Sequence, residues 1–349
     1  MKIGLLTYHH SSNIGAMMQT YATCRALKEM GHEVVIVDIR QEEDHRQGLG
    51  GLASNMIFFV RNQKYKAFKN TFYPPLTRRY YSVDELRNSP PKVDCFMVGS
   101  DQTWNLDISK EIAMAYFLDF GEKTMRRISY ASSFGKDYWN SSSSLTEEVN
   151  HALHRFNSIS VRERTGVQIC KDAFGLKAEL VVDPTILFDS YPEIISDIPE
   201  MKETVCYKLN RTPDFYKRII DLKQTMGCPI RMLNNAYPVK GMKYTYPPSV
   251  EEWIRRIGGA RFVVTDSFHG VVFSLLYQRQ FVAIKNNNGR DSRYVDILTE
   301  LGLENRLFES VEDMIKSHPW DNIINYKEVN FKMEQLRQES WKYLAQALE

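Results

Sequence analysis

RFVVTDSFHGVVFSLLYQ, residues 261–278, divides into three parts. Phe262, Val263 and Val264 form an apolar run that breaks at Thr265-Asp266-Ser267, passes His269-Gly270 and resumes with Val271, Val272, Leu275 and Leu276 at helical spacing. This pattern predicts a buried strand, a tight polar turn and a helix. In open α/β sheets the turn after a strand's carboxyl end is where ligands bind, and the next helix presents unpaired N–H groups to an anion. His269, with Ser267 and Gly270, then lines an anion site. The competing reading is an ordinary connection whose histidine packs.

Working outward, 349 residues suffice for two domains, and 43% hydrophobic with 25% charged residues is ordinary for a globular protein. Lys and Arg number 45 against 43 Asp and Glu, which gives no reason to expect a nucleic-acid partner. MKIGLLTYHH has too short an apolar run for a signal peptide, and no stretch reaches the ~18 apolar residues of a membrane span, so the expected location is the cytoplasm. The five cysteines are scattered without zinc or redox spacing and are expected to be reduced.

The N-terminal half alternates in the same way. KIGLLT (2–7) is a strand, a helix runs from about Met18 to Gly31, and EVVIVD (33–38) is the next strand. This β-α-β unit puts Asn13, Gly15 and Gln19 at the carboxyl edge of the first strand, although Asn13 is equally a helix cap. The helix expected from Asn55 to about Phe72 mixes Phe58, Phe59, Tyr65 and Phe68 with Arg61, Lys64, Lys66 and Lys69. It reads either as a core stripe with a basic solvated side or as a face for peripheral contact with an anionic membrane at its inner surface or with a lipid-linked substrate. VDCFMVGSDQTWN (93–105) runs a strand into Gly99, Ser100, Asp101 and Gln102, where a ligand can approach the backbone. NSISVRERTG (157–166) ends a strand at Arg162, which reads as a clamp for carboxylate or phosphate or as an internal salt bridge with Glu163.

After the break at Asp183-Pro184 the alternation restarts with strands at 203–209, 229–234, 262–264 and 280–285. A terminal helix over 323–349 carries Phe331, Leu336, Trp341, Leu344 and Leu348 as anchors. The expected fold class is α/β: two Rossmann-like domains, 1–185 and 186–322, facing across a cleft, with the 323–349 helix bracing the first.

Taken together, Asn13-Ile14-Gly15 with Gln19, VGSDQTWN, ISYASSFG, SVRE, VDPT, TDSFHG and SRYVDILTELGLENR (292–306) resemble the polysaccharide pyruvyl transferase family in order and spacing. The resemblance implies a GT-B type fold and transfer of a pyruvyl group from phosphoenolpyruvate to two hydroxyls of a sugar. The product is a pyruvate ketal on a cell-surface polysaccharide or its precursor, with phosphate released. The resemblance also implies that His269 is the functional histidine and that Arg162 is associated with the donor. Several relatives carry an arginine two residues before that histidine, where this chain has Ser267.

Ketal formation needs a proton delivered to the methylene carbon of phosphoenolpyruvate, and a histidine suits a general acid. The donor's roughly three negative charges call for cations, with Arg162, Lys285, Arg290 and Arg293 as candidates. Asn13, Gly15, Gln19, Gly99, Ser100, Asp101 and Gln102 are the acceptor-side candidates, for a free sugar or a lipid-linked oligosaccharide. No metal-ligand constellation is visible, so the expectation is no metal and no cofactor beyond phosphoenolpyruvate as co-substrate. Two alternatives are a GT-B glycosyltransferase with a nucleotide-sugar donor and an inactive sugar-binding member of the family.

Overall fold

A computed structural model describes residues 1–40, 52–210, 213–234, 239–286 and 292–349. Arg290 and the glycine-rich 48–51 piece lie outside the described residues. The chain divides into two compact units, one of residues 1–49, 69–187 and 335–349, the other of residues 50–68 and 188–334.

The first unit is built on four parallel strands, β1 (Lys2–Leu6), β2 (Glu33–Ile36), β3 (Cys95–Val98) and β4 (Arg126–Ser129), in the order β2-β1-β3-β4. Parallel bridges from Ile128 to Ser158 and from Ser132 to Val161 continue β4 toward a further parallel pair, β5 (Ser160–Val161) and β6 (Glu179–Leu180). Helix α1 (Ile14–Glu29) makes the first crossover. β3 is buried at every residue, as expected of a short strand covered on both faces, and this explains why it reads as an unbroken apolar run.

The second unit has a six-stranded parallel sheet. Its order is β12-β11-β10-β7-β8-β9, with β7 (Thr204–Tyr207), β8 (Ile230–Leu233), β9 (Lys243–Thr245), β10 (Phe262–Thr265), β11 (Gln280–Ile284) and β12 (Leu307–Phe308). β10 is wholly buried between β11 and β7 and leads into the helix Phe268–Leu276, the expected strand, turn and helix.

Two helices depart from expectation in detail. Helix α2 (Leu52–Phe72) starts three residues early; Tyr65 and Phe68 are buried, but Phe58 and Phe59 are exposed, so those two leave the core stripe. The last helix spans Tyr326–Leu348, and Phe331 is 66% exposed rather than an anchor. Its buried line is Val329, Met333, Arg337, Ser340 and Leu344, at helical spacing but interrupted by two polar residues. Those two serve the first unit: Arg337 Nε donates to Ile186 O (2.6 Å), and Val182 N donates to Ser340 Oγ (3.0 Å).

Candidate active site

In the second unit, the residue types at the end of β10 build the turn that holds His269. Thr265 Oγ1 donates to Tyr207 O (2.7 Å) and accepts from Ser267 N (3.1 Å), tying the turn to β7. Ser267 is the helix cap, its Oγ accepting from Gly270 N (3.3 Å). Gly270 is needed for packing: a Cβ there would stand 2.2 Å from Thr265 Oγ1. His269 is thereby fixed in the first helical turn, 8% exposed.

Asp266, one residue before the cap, is the electrostatic centre of this turn. Its carboxylate accepts from Leu209 N (2.6 Å), Asn210 N (2.9 Å) and Lys208 Nζ (3.1 Å), and its carbonyl accepts from Asn286 Nδ2 (3.0 Å). Lys208 is 7% exposed at the end of β7 and lies 5.4 Å from the centre of the Phe215 ring. The sequence reading missed it, because it is 58 positions from Asp266 and only the parallel pairing of β7 with β10 puts them side by side. A lysine that directly follows an apolar strand run, as in TVCYK, is the signal that was available.

The other expected cations are placed differently. Lys285 is at the surface, paired with Glu309 Oε1 (2.5 Å). Arg293 is in the first turn of the helix Ser292–Leu301 and is half-buried.

Arg162 belongs to the first unit, among the residues expected on the acceptor side. Its Nη1 donates to Asp183 Oδ2 (2.9 Å) and Ser100 Oγ (3.2 Å), and its Nη2 to Asp101 Oδ1 (3.4 Å). Glu163 Oε2 is 3.7 Å from its Nε. Burial works against the guanidinium charge, yet Asp101, Asp183 and Glu163 together raise its pKa above the ordinary value. The salt-bridge reading is the one these distances carry, and it extends beyond Glu163 to two carboxylates far away in sequence.

Asp183, read from sequence as a chain break, is the hub of that network. Ser100 Oγ donates to its Oδ2 (2.7 Å), while Thr185 N (3.0 Å) and Thr185 Oγ1 (2.6 Å) donate to its Oδ1. Asp101 has a φ of 84°, a left-handed conformation that a non-glycine residue adopts only under local constraint. It remains partly exposed while paired to a buried arginine.

Gln19 is completely buried, its Nε2 donating to Thr7 Oγ1 (2.8 Å), and Thr7 Oγ1 donates to Ser100 O (3.0 Å). Gly15, Gly99 and Ser100 are buried as well. Enclosure removes these four from direct reach of a sugar, leaving Asn13, Asp101 and Gln102, the last only 9% exposed with its Oε1 accepting from Asn105 Nδ2 (3.0 Å). Asn13 is exposed and also caps α1, its Oδ1 accepting from Gly15 N (2.8 Å) and Ala16 N (3.3 Å).

A further cluster went unread at the ends of β1 and β2. His9 Nε2 is 3.0 Å from Asp38 Oδ1, and Arg40 Nε donates to the same oxygen (2.6 Å). Burial raises the Asp38 pKa, but the hydrogen bonds from His9 and Arg40 outweigh it and hold the carboxyl far below its usual range. Among the described residues no group of three or more His, Cys, Asp or Glu is placed to hold a metal ion.

With this geometry in place, comparison with solved structures defines the class. The UDP-GlcNAc 2-epimerase of Neisseria meningitidis aligns over 97% of this chain and 99% of its own, with a TM-score of 0.55 at 11% identity. That of Methanocaldococcus jannaschii aligns over 93% of each chain (TM-score 0.57, 12% identity). The O-GlcNAc transferase of Thermobaculum terrenum aligns over 100% of this chain and 66% of its own (TM-score 0.51, 8% identity). At such identities the likeness is one of fold, and the fold is of the GT-B type, two Rossmann-like α/β units. A search of curated proteins returns no match. The model of one family, polysaccharide pyruvyl transferase, matches residues 13–288, and the chain belongs to that family.

Proposed function

We propose that the protein transfers the pyruvyl group of phosphoenolpyruvate to two hydroxyls of a sugar, free or lipid-linked, making a cyclic pyruvate ketal and releasing phosphate. The observation that carries this reading is the family match, which runs through the turn that contains both His269 and Asp266, the partner of Lys208.

The chemistry follows in two additions. His269, as imidazolium, donates a proton to the methylene carbon of the donor, where the double bond's electron pair forms the new C–H bond and leaves the neighbouring carbon cationic. One sugar hydroxyl then attacks the resulting cationic carbon and passes its proton to the now neutral His269, which leaves a tetrahedral carbon bearing both sugar oxygen and phosphate and restores the imidazolium. In the second step the carbon–oxygen bond to phosphate breaks, the second hydroxyl attacks, and its proton leaves with phosphate. The full charges of the bound donor outweigh the helix end, worth about half a unit charge, so donor binding favours protonated His269. Lys208 is the buried cation that answers the donor's charge in place of the arginine that Ser267 lacks, and the helix amino end contributes in the same sense. Phosphoenolpyruvate is the co-substrate, and no further cofactor is called on. On the acceptor side Asn13, Asp101 and Gln102 are the residues assigned to sugar hydroxyls.

The test is to offer phosphoenolpyruvate with a panel of glycans and follow both phosphate release and product mass. Acceptor-dependent release with a product one pyruvyl ketal heavier supports the reading. Turnover of nucleotide sugars with phosphoenolpyruvate untouched would replace it with a glycosyltransferase.

A further inference from the structure

Helix α2 carries an exposed run that the transfer chemistry does not use. Met56, Ile57, Phe58, Phe59 and Val60 are consecutive, and their exposures are 68, 37, 56, 61 and 39%. At 100° per residue five consecutive positions go right round a helix, so this stretch of α2 is apolar on every side, with Met56, Phe58 and Phe59 the most exposed. Two turns on, Tyr65 and Phe68 are buried at 4% and 2%, so the same helix is an ordinary packed element there. Runs of four or more exposed apolar residues are unusual in a soluble protein unless something covers them.

Charge indicates what covers them. From Asp44 to Asp84 the sequence contains no acidic residue between those two, while Arg61, Lys64, Lys66, Lys69, Arg78 and Arg79 fall inside the interval. The cations nearest the apolar end follow it directly. The Arg61 guanidinium lies 5.1 Å from the centre of the Phe58 ring, Lys66 is exposed, and Lys64 is exposed with its Nζ donating to Pro247 O (2.7 Å). No described helix is long and apolar enough to cross a membrane, so an apolar tip with a basic collar is suited to lying in an interface instead.

We propose that the Met56–Lys66 end of α2 is a docking site for the surface of an anionic lipid bilayer. Phe58, Phe59 and Met56 enter the boundary between head groups and acyl chains, while Arg61, Lys64 and Lys66 face the lipid phosphates. This site is separate from the turn that carries His269 in sequence and in chemistry, and vesicle binding is read without any turnover, so its failure leaves the transfer reading untouched.

The full-length protein should sediment with sucrose-loaded vesicles of mixed phosphatidylglycerol and phosphatidylcholine, more than with phosphatidylcholine alone, and less as salt rises. F58D/F59D should weaken binding at least about tenfold, and K66E should erase most of the preference for phosphatidylglycerol. Both positions are exposed, so circular dichroism and thermal melting should match the wild type. A tryptophan at Phe59 should shift its emission to the blue on adding the anionic vesicles. Wild-type protein that stays in the supernatant with every vesicle overturns the proposal, as does F58D/F59D binding equal to wild type. Wild-type self-association that F58D/F59D abolishes, with no vesicle binding, assigns the patch to a second copy of the chain and also overturns it.

Discussion

At the scale of single residues, the position of His269 sets its expected contribution. A buried imidazole in the first turn after a fully buried strand is held rigidly enough for directed proton transfer. His269→Ala should lower phosphate release by at least ~10²-fold, the ordinary worth of general acid catalysis, and near-normal turnover would remove it from the mechanism. Lys208 makes a separate demand. A charged hydrogen bond is worth about 1.5–3 kcal/mol, so Lys208→Ala should reduce kcat/KM for phosphoenolpyruvate about 10- to 100-fold. Lys208→Arg should recover part of that, because it restores the charge beside Asp266. If Lys208→Ala loses stability but keeps its kcat/KM, the lysine serves only to pair Asp266. His269 was legible in the sequence because a polar break between two apolar periodicities is a local signal. Lys208 was not, because its significance rests on a partner three strands further along the chain.

At the scale of elements, the β10 turn depends on how closely its helix approaches the strand. Gly270→Ala would force a methyl to within 2.2 Å of Thr265 Oγ1, the hydroxyl that joins the turn to Tyr207 O and Ser267 N. Overpacking of this kind costs about 1–3 kcal/mol, so the variant should melt lower, and its turnover should fall because the moved turn carries His269. An unchanged melting temperature would mean that the helix has room to shift. The same scale explains the misread final helix. Its buried line contains Arg337 and Ser340, whose partners Ile186 O and Val182 N satisfy them inside the first unit. A reading by apolar period passes over such positions and chooses Phe331, which faces solvent.

At the scale of the molecule, networks between elements govern stability. Arg162 compensates Asp101, Glu163 and Asp183, contributed by three separate segments of the first unit. Its side chain is 1% exposed, so Arg162→Ala leaves buried carboxylates uncompensated and should cost about 3–5 kcal/mol in denaturant unfolding. Unaltered phosphoenolpyruvate affinity in whatever fraction folds would assign the arginine to structure alone. Acid sensitivity has a distinct source in His10. Burial, then His9, Arg40 and Lys69, push its pKa down to about 3, against about 6.5 in the unfolded chain. The folded protein therefore keeps the ring neutral, and this contribution is complete above about pH 6.5. It is lost as pH falls toward about 3, because the unfolded chain takes up a proton that the folded one refuses. The stability difference between about pH 7 and pH 4 should be smaller in His10→Gln than in the wild type when both are measured by chemical unfolding. Equal differences would place the sensitivity elsewhere, with the Asp38 carboxylate next to be tested.

The sequence by itself determined the alternation of short buried strands with helices, the turn that presents His269, and the family. Each of these is written locally, in the period of apolar residues and in motifs a few positions long. Only the tertiary structure decided that Arg162 is engaged with Asp183 and Asp101, that Gln19 and Ser100 are enclosed, and that Lys208 stands beside Asp266. The physical reason is that parallel strands join residues tens of positions apart. A side chain's burial and charge partners therefore depend on strand order, which no local period records.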